Sequence, residues 1–182
     1  GNRCFDFNVP EELNRRLVDH ISDFNLCYTE HARRHLLAEG MEHRRVIVTG
    51  SPMKEVLAKF RPQIDASDVL KRLGLSARKY LVASFHRQEN VDSPAHLRAI
   101  VDALETLAQS HDCPVIVSTH PRTHKQLAAL GVNLTDDGPL RFLKPLGFHD
   151  YNNLQLNSLC AISDSGTISE EAALLGFPAV TI

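Results

Sequence analysis

The chain has 182 residues, of which 43% are hydrophobic and 23% charged, with a formal net charge of −2. A chain of this length buries one good core or two small ones, and its composition is that of a soluble globular protein. No basic excess or aromatic-interleaved basic stripe points to nucleic acid, and the longest apolar runs, such as 80–85, are far too short to cross a bilayer. Cys4, Cys27, Cys113 and Cys160 show no close pairing, and the last three sit in or beside apolar runs. They are expected to be reduced thiols of a cytoplasmic protein.

In chain order, 11–21 reads as a helix with Pro10 at its first position and Leu13, Leu17, Val18 and Ile21 on one face. Residues 24–28 are strand-like, and Thr29 is placed to cap a helix that runs to Glu39 and stops at Gly40. A strand over 45–49 leads to the turn Gly50-Ser51-Pro52, the one plausible domain boundary. A helical stretch over 54–60, a polar patch over 61–67 and a short helix over 68–73 follow. The pattern then becomes regular: strand 80–85, polar loop 86–93, helix from Pro94 to about 110, strand 114–118, and a helix ending at Gly131. Strands over 140–143, 159–162 and 178–182 are separated by helices over 149–156 and 167–175. Repeated β-α-β units predict an α/β fold with a parallel, doubly wound sheet and ligands at the carboxyl ends of its strands. The polar loops at His86, His120 and Asp164 are therefore expected along one edge.

The run Cys160-Ala161-Ile162-Ser163-Asp164-Ser165-Gly166-Thr167-Ile168-Ser169-Glu170-Glu171 carries the most chemistry. A strand, a tight turn and a helix start bring backbone N–H groups and small hydroxyls to the positive end of a helix dipole, which suits a phosphate. Gly166 lets an anion come close to the backbone, and a glutamate in the first helical turns can reach sugar hydroxyls. An ordinary capped helix is the competing reading. His86-Arg87-Gln88-Glu89-Asn90 gathers groups that bind phosphate and move protons, against the alternative of a solvated loop whose charges satisfy one another. For His120-Pro121-Arg122 and for Pro10-Glu11-Glu12, a capped turn and a plain helix start are the readings favoured locally. His31/His35 and His120/His124 are spaced i,i+4 but neither pair has the adjacent glutamate of a zinc-protease helix, so no metal is expected. No redox cofactor fingerprint is present either.

Taken together, P-E-E-L-N-R at 10–15, T-G-S-P at 49–52, H-R-Q-E-N at 86–90, T-H-P-R at 119–122 and S-D-S-G-T-I-S-E-E at 163–171 resemble the non-hydrolysing UDP-N-acetylglucosamine 2-epimerase family in order and spacing. The stretch 143–154 is similar to a subgroup in capsule and O-antigen synthesis, on the route to UDP-N-acetyl-L-fucosamine. The resemblance implies a glycosyltransferase-B-type fold of two Rossmann-like domains. Residues 1–50 would be a remnant of the first, and 51–182 the UDP-binding second domain, truncated at its end. The chain is thus expected to be a fragment, lacking a catalytic glutamate and an aspartate upstream of Gly1. The parent would act on a UDP-sugar as a homodimer, with no cofactor, no nucleic acid and no membrane.

The reaction implied is removal of the C2 proton with departure of UDP from C1, then re-addition of both with C2 inverted. By resemblance Glu11 and His86 are catalytic, and Ser165, Gly166 and Thr167 hold phosphate. Glu171 takes the ribose, Tyr151 stands against uracil, and Arg87 and His120 match a second, regulatory UDP-sugar site. Thr167 replaces the second glycine of the commoner D-S-G-G, and Gln88 departs from the usual residue inside H-R-x-E-N. A glycosyltransferase of the same architecture and a UDP-binding module without turnover are the alternatives.

Overall fold

The computed structural model describes residues 1–182. These form two compact units, Gly1–Val56 and Leu57–Ile182. Gly50, in the turn where the sequence expectation puts a boundary, has φ +79°, a conformation that costs glycine nothing.

The first unit contains α1 (Pro10–Ile21), β1 (Asn25–Cys27), α2 (Glu30–Ala38), a 3-10 turn (His43–Arg45) and β2 (Val46–Val48). The two strands are parallel, with Asn25 opposite Val46. Thr29 caps α2, its hydroxyl accepting the Ala32 N–H at 3.1 Å. Cys27, Ala32, Leu36 and Val46 make the small core, while the apolar face of α1, with Leu13, Leu17, Val18 and Ile21, is exposed.

An ion network replaces a large core here. The Arg3 side chain is fully buried and donates to both oxygens of Glu39, at 2.8 Å each, and to Asp19 at 2.7 Å. Arg16 and His20 also approach Glu39. The bidentate Arg3, opposed by burial and helped by His20, pulls the Glu39 carboxyl down from 4.5 to about 2. A carboxyl depressed on folding stabilises above its unfolded value, and that stability is lost as pH falls through the folded one. Acid titration is therefore expected to weaken the first unit between about pH 4.5 and 2. Glu39→Gln should flatten that limb in a melting-temperature series. An unchanged limb would remove Glu39 from the account.

α3 (Met53–Asp65) extends to Asp65 through most of the patch over 61–67 that the sequence reading leaves non-helical, with Pro62 inside it. Buried Leu57 and Ile64 hold one face inward, and Arg61 pairs with Asp65 at 2.8 Å. Packing thereby outweighs the lost proline donor.

The second unit continues with α4 (Val69–Arg72), β3 (Leu81–Ser84), α5 (Gln88–Val91), α6 (Pro94–His111), β4 (Val115–Ser118), α7 (Pro121–Ala129), β5 (Leu140–Leu143), α8 (Phe148–Asn157), β6 (Cys160–Ser163), α9 (Ile168–Leu175) and β7 (Ala179–Thr181). All five strands are parallel, in the order β5-β4-β3-β6-β7. This is the 3-2-1-4-5 winding of a Rossmann-like sheet, in which the order of adding strands reverses between β3 and β6 while all strands stay parallel. Leu97, Val101 and Leu104 of α6 and Leu127 of α7 pack on one face, and Val69, Leu154 and Ile168, from α4, α8 and α9, on the other. Such double coverage is why the strands are apolar throughout rather than alternating. Ser84 lies in register with Ser118 on one side and Ser163 on the other. Three small hydroxyl residues thus end adjacent strands at the carboxyl edge. No helix is long and apolar enough to cross a membrane.

Candidate active site

Reversal of winding between β3 and β6 leaves a crevice at their carboxyl ends, and the two loops that leave those strands are tied together by Asp164. Its side chain is fully buried. Its oxygens accept the His86 N–H at 3.1 and 2.9 Å, the Arg87 N–H at 2.9 Å and the Asn90 side-chain amide at 3.1 Å. His86 Nδ1 lies 3.1 Å from Asp164 Oδ1, and the imidazole remains about half exposed. α5 is a single helical turn inside what the sequence presents as a polar loop, and that turn brings Asn90 back onto Asp164. The carboxyl group therefore sets the path of the whole His86–Asn90 segment.

On the β6 side, the Ser165 N–H donates to Ser163 Oγ at 3.0 Å. Ser165 Oγ lies 3.0 Å from Thr167 Oγ1 and accepts the Thr167 N–H at 3.3 Å. α9 starts after Thr167, with Glu170 and Glu171 in its first turn, and ends at Gly176 with φ +76°. A Cβ at Gly166 would meet only Arg87 Nη2, at 3.8 Å. The glycine leaves an open space facing a guanidinium, with helix N–H groups behind it: an anion's surroundings. Glu171 is held at both oxygens, accepting the Thr167 hydroxyl at 2.8 Å and the Gln155 amide at 3.2 Å.

Tyr151, one turn before Gln155 on α8, is partly buried against the core. Burial, with Glu171 and Asp164 nearby, pushes its phenol up to about 12. It is therefore a neutral phenol at neutral pH.

A cleft of about 310 Å³ opens between the ends of β3 and β4, lined by Ser84, His86, Ser118, His120, Arg122 and Pro145. His120 caps α7, its Nδ1 accepting the Arg122 N–H at 3.3 Å, and Arg122 pairs with Asp92. A larger cavity of about 530 Å³ lies along α6, β6 and β7. Its lining is aliphatic apart from His111 and Cys160, so the smaller cleft holds the convergent polar groups.

Of the residues singled out from the sequence, the second unit brings together His86, Arg87, Tyr151, Ser165, Gly166, Thr167 and Glu171. His120 shares the cleft with His86, whereas Arg87 reaches toward Gly166. Glu11 lies in the first unit and is exposed on α1. Its neighbour Glu12 is buried, taking the Cys4 N–H at 2.8 Å and Arg16 at 2.7 Å. Burial works to raise the Glu12 carboxyl, but Cys4 and Arg16 outweigh it and hold the group below the ordinary value. One carboxylate of the pair is committed to structure, and the other is free. Two further residues, Asp164 and Gln155, have no role assigned from the sequence. The signal for each was a polar residue where burial is expected, directly after strand β6 and on the inner side of α8.

A parallel Rossmann-like sheet, with an anion-ready turn and a histidine loop on either side of its crevice, defines an α/β protein of the glycosyltransferase-B type. The family model "UDP-N-acetylglucosamine 2-epimerase" matches residues 1–182, and the chain belongs to that family. It is similar to the UDP-N-acetylglucosamine 2-epimerase of Rickettsia bellii, with a TM-score of 0.84 and 43% identity over 98% of this chain and 47% of that one. It is also similar to the Methanocaldococcus jannaschii UDP-GlcNAc 2-epimerase in complex with UDP-GlcNAc and UDP, with a TM-score of 0.89 and 32% identity over 98% of this chain and 50% of that one. The UDP-2,3-diacetamido-2,3-dideoxy-D-glucuronate 2-epimerase of Pseudomonas aeruginosa is 32% identical over 100% of this chain and 49% of its own length. The chain spans about half the length of the curated relatives it matches.

Proposed function

We propose that this chain is part of an isomerase that inverts C2 of a UDP-linked 2-acetamido sugar, in the synthesis of bacterial surface polysaccharide precursors. Residues 1–50 belong on this reading to its first domain and 51–182 to its UDP-binding second domain. The observation that carries it is the shared clamp at Asp164, which keeps a half-exposed histidine beside a turn suited to phosphate. In the forward half-reaction a base takes the C2 proton, the C1–O bond breaks, and the electrons form a C1=C2 double bond as UDP leaves. Re-addition of UDP to C1 with a proton to the opposite face of C2 completes the inversion. The chemistry needs proton-transfer groups around C2 and a strong anion site for departing UDP. Glu11 and His86 serve the first need, and Ser165, Gly166, Thr167 and the α9 N-terminus the second. Glu171 takes the ribose hydroxyls, and Tyr151 stands against uracil. Of the two residues proposed for a second, regulatory UDP-sugar, His120 opens onto the 310 Å³ cleft. Arg87 is turned to Gly166.

The test is solvent exchange. The full-length protein, incubated with UDP-N-acetylglucosamine in D2O, is expected to place deuterium at C2 and to release traces of the glycal. Glycosyl transfer to an acceptor with no C2 exchange would instead favour a transferase. The 182-residue chain by itself is expected to give no turnover, because reacting groups must be held together for the barrier to fall.

The chain should still bind UDP weakly, with a Kd above about 0.1 mM. NMR shifts are expected at Ser165, Gly166 and Glu171. Gly166→Val should abolish them while the chain stays folded. Backbone at Gly166 tolerates a side chain, and the added methyls would occupy the space facing Arg87. Shifts confined to the His31/His35 helix would remove the phosphate site.

A further inference from the structure

Gln155 is a buried amide that folding alone does not explain. It lies on α8 one turn after Tyr151 and is fully buried. Its Nε2 donates to Glu171 Oε2 at 3.2 Å, and no donor in the chain reaches its Oε1, which is also buried. A buried carbonyl without a partner works against the folded state, and a methionine of similar volume would fill the same space without that penalty. Turning the amide over gives no relief, since its oxygen would then face the Glu171 carboxylate. The group that gains from Gln155 is Glu171. Its other oxygen accepts the Thr167 hydroxyl at 2.8 Å, and that hydroxyl lies 3.0 Å from Ser165 Oγ. Thr167, standing where the resemblance leads one to expect glycine, supplies the second strut. Both carboxyl oxygens are thus fixed before any ligand arrives, and their remaining lone pairs are left for an incoming donor.

We infer that Gln155 is a positioning residue of the nucleotide site, holding the Glu171 carboxylate ready for the cis-diol of a ribose and so favouring ribonucleotides over 2′-deoxyribonucleotides. The inference rests on the reading of Glu171 as the ribose contact; Gln155 itself touches no ligand. A carboxylate already ordered loses less conformational freedom on binding than one free to rotate. The benefit is largest for a ligand that offers both hydroxyls.

The experiment compares UDP with 2′-deoxy-UDP on the wild-type chain and on Gln155→Met. The variant is expected to melt at the same temperature or higher. UDP should bind about 3- to 10-fold more weakly to it while 2′-deoxy-UDP changes little, so the preference between them narrows. A lower melting temperature with both nucleotides weakened equally would make Gln155 a packing residue and overturn the inference. So would an unaltered preference. A wild-type chain that does not distinguish the two nucleotides overturns the ribose reading of Glu171 itself, and the inference falls with it. A second measurement needs no nucleotide. In the ligand-free chain the side-chain amide protons of Gln155 should exchange slowly, and faster in Glu171→Ala. Rapid exchange in the wild type would show that the strut does not exist.

Discussion

Replacing His86 by alanine in the full-length protein is expected to lower kcat about a hundredfold or more, with KM changed little. The imidazole is about half exposed at the crevice while its backbone N–H and Nδ1 are both engaged with Asp164. A surface histidine without a task would not be held from two sides. On the proposed reading it moves the C2 proton or faces the leaving diphosphate, and either contribution would belong to the transition state, so the loss should fall on kcat. His86→Gln should recover little, because an amide can hydrogen-bond but not exchange a proton in this range. An unchanged kcat in His86→Ala would return the residue to a purely structural place in its loop. The same comparison separates the two neighbouring carboxylates. Glu11→Gln should lower kcat without affecting folding, whereas Glu12→Gln should weaken the first unit through Cys4 and Arg16.

Asp164→Ala is expected to cost the second unit about 2–4 kcal/mol in a urea titration. The side chain is an acceptor for two backbone N–H groups and one side-chain amide, and it is fully buried. Alanine removes the acceptor and leaves donors behind, which costs more than the net worth of the bonds. Amide resonances of His86, Arg87 and Asn90 should move together, since those residues share that anchor. In the full-length protein kcat should fall as well, through loss of His86 placement. Asp164→Asn keeps one carbonyl oxygen and should lie between wild type and alanine. A stable Asp164→Ala chain with unshifted resonances over 86–90 would show that the loop holds itself.

Much of this protein is legible from local signals. Apolar runs of strand length, Thr29 as a cap, and Pro10 and Pro94 opening helices act within a few residues of themselves. The alternation of strands and helices then implies the winding, because right-handed crossovers leave few other solutions. The turn over Asp164–Thr167 is legible for the same reason: its hydrogen bonds join residues two apart. Polarity alone misjudges 61–65, where the helix persists because Ile64 is buried.

What no local pattern contains is which distant groups meet. Asp164 and His86 are 78 positions apart and become neighbours because β3, which pairs with β4 on one side, pairs with the distant β6 on the other. Gln155 reaches Glu171 because α8 and α9 cover the same face of the sheet. The division of labour between Glu11 and Glu12 follows from which side of α1 is buried beside Cys4 and Arg16. Chain chemistry by itself therefore determined the elements, the anion-ready turn and the family resemblance, since each depends on contacts within a turn or two. Only the tertiary structure decided that one carboxylate would anchor the histidine loop and that a buried amide would hold another. Those choices depend on strand order and helix coverage, which are set by packing of the whole sheet.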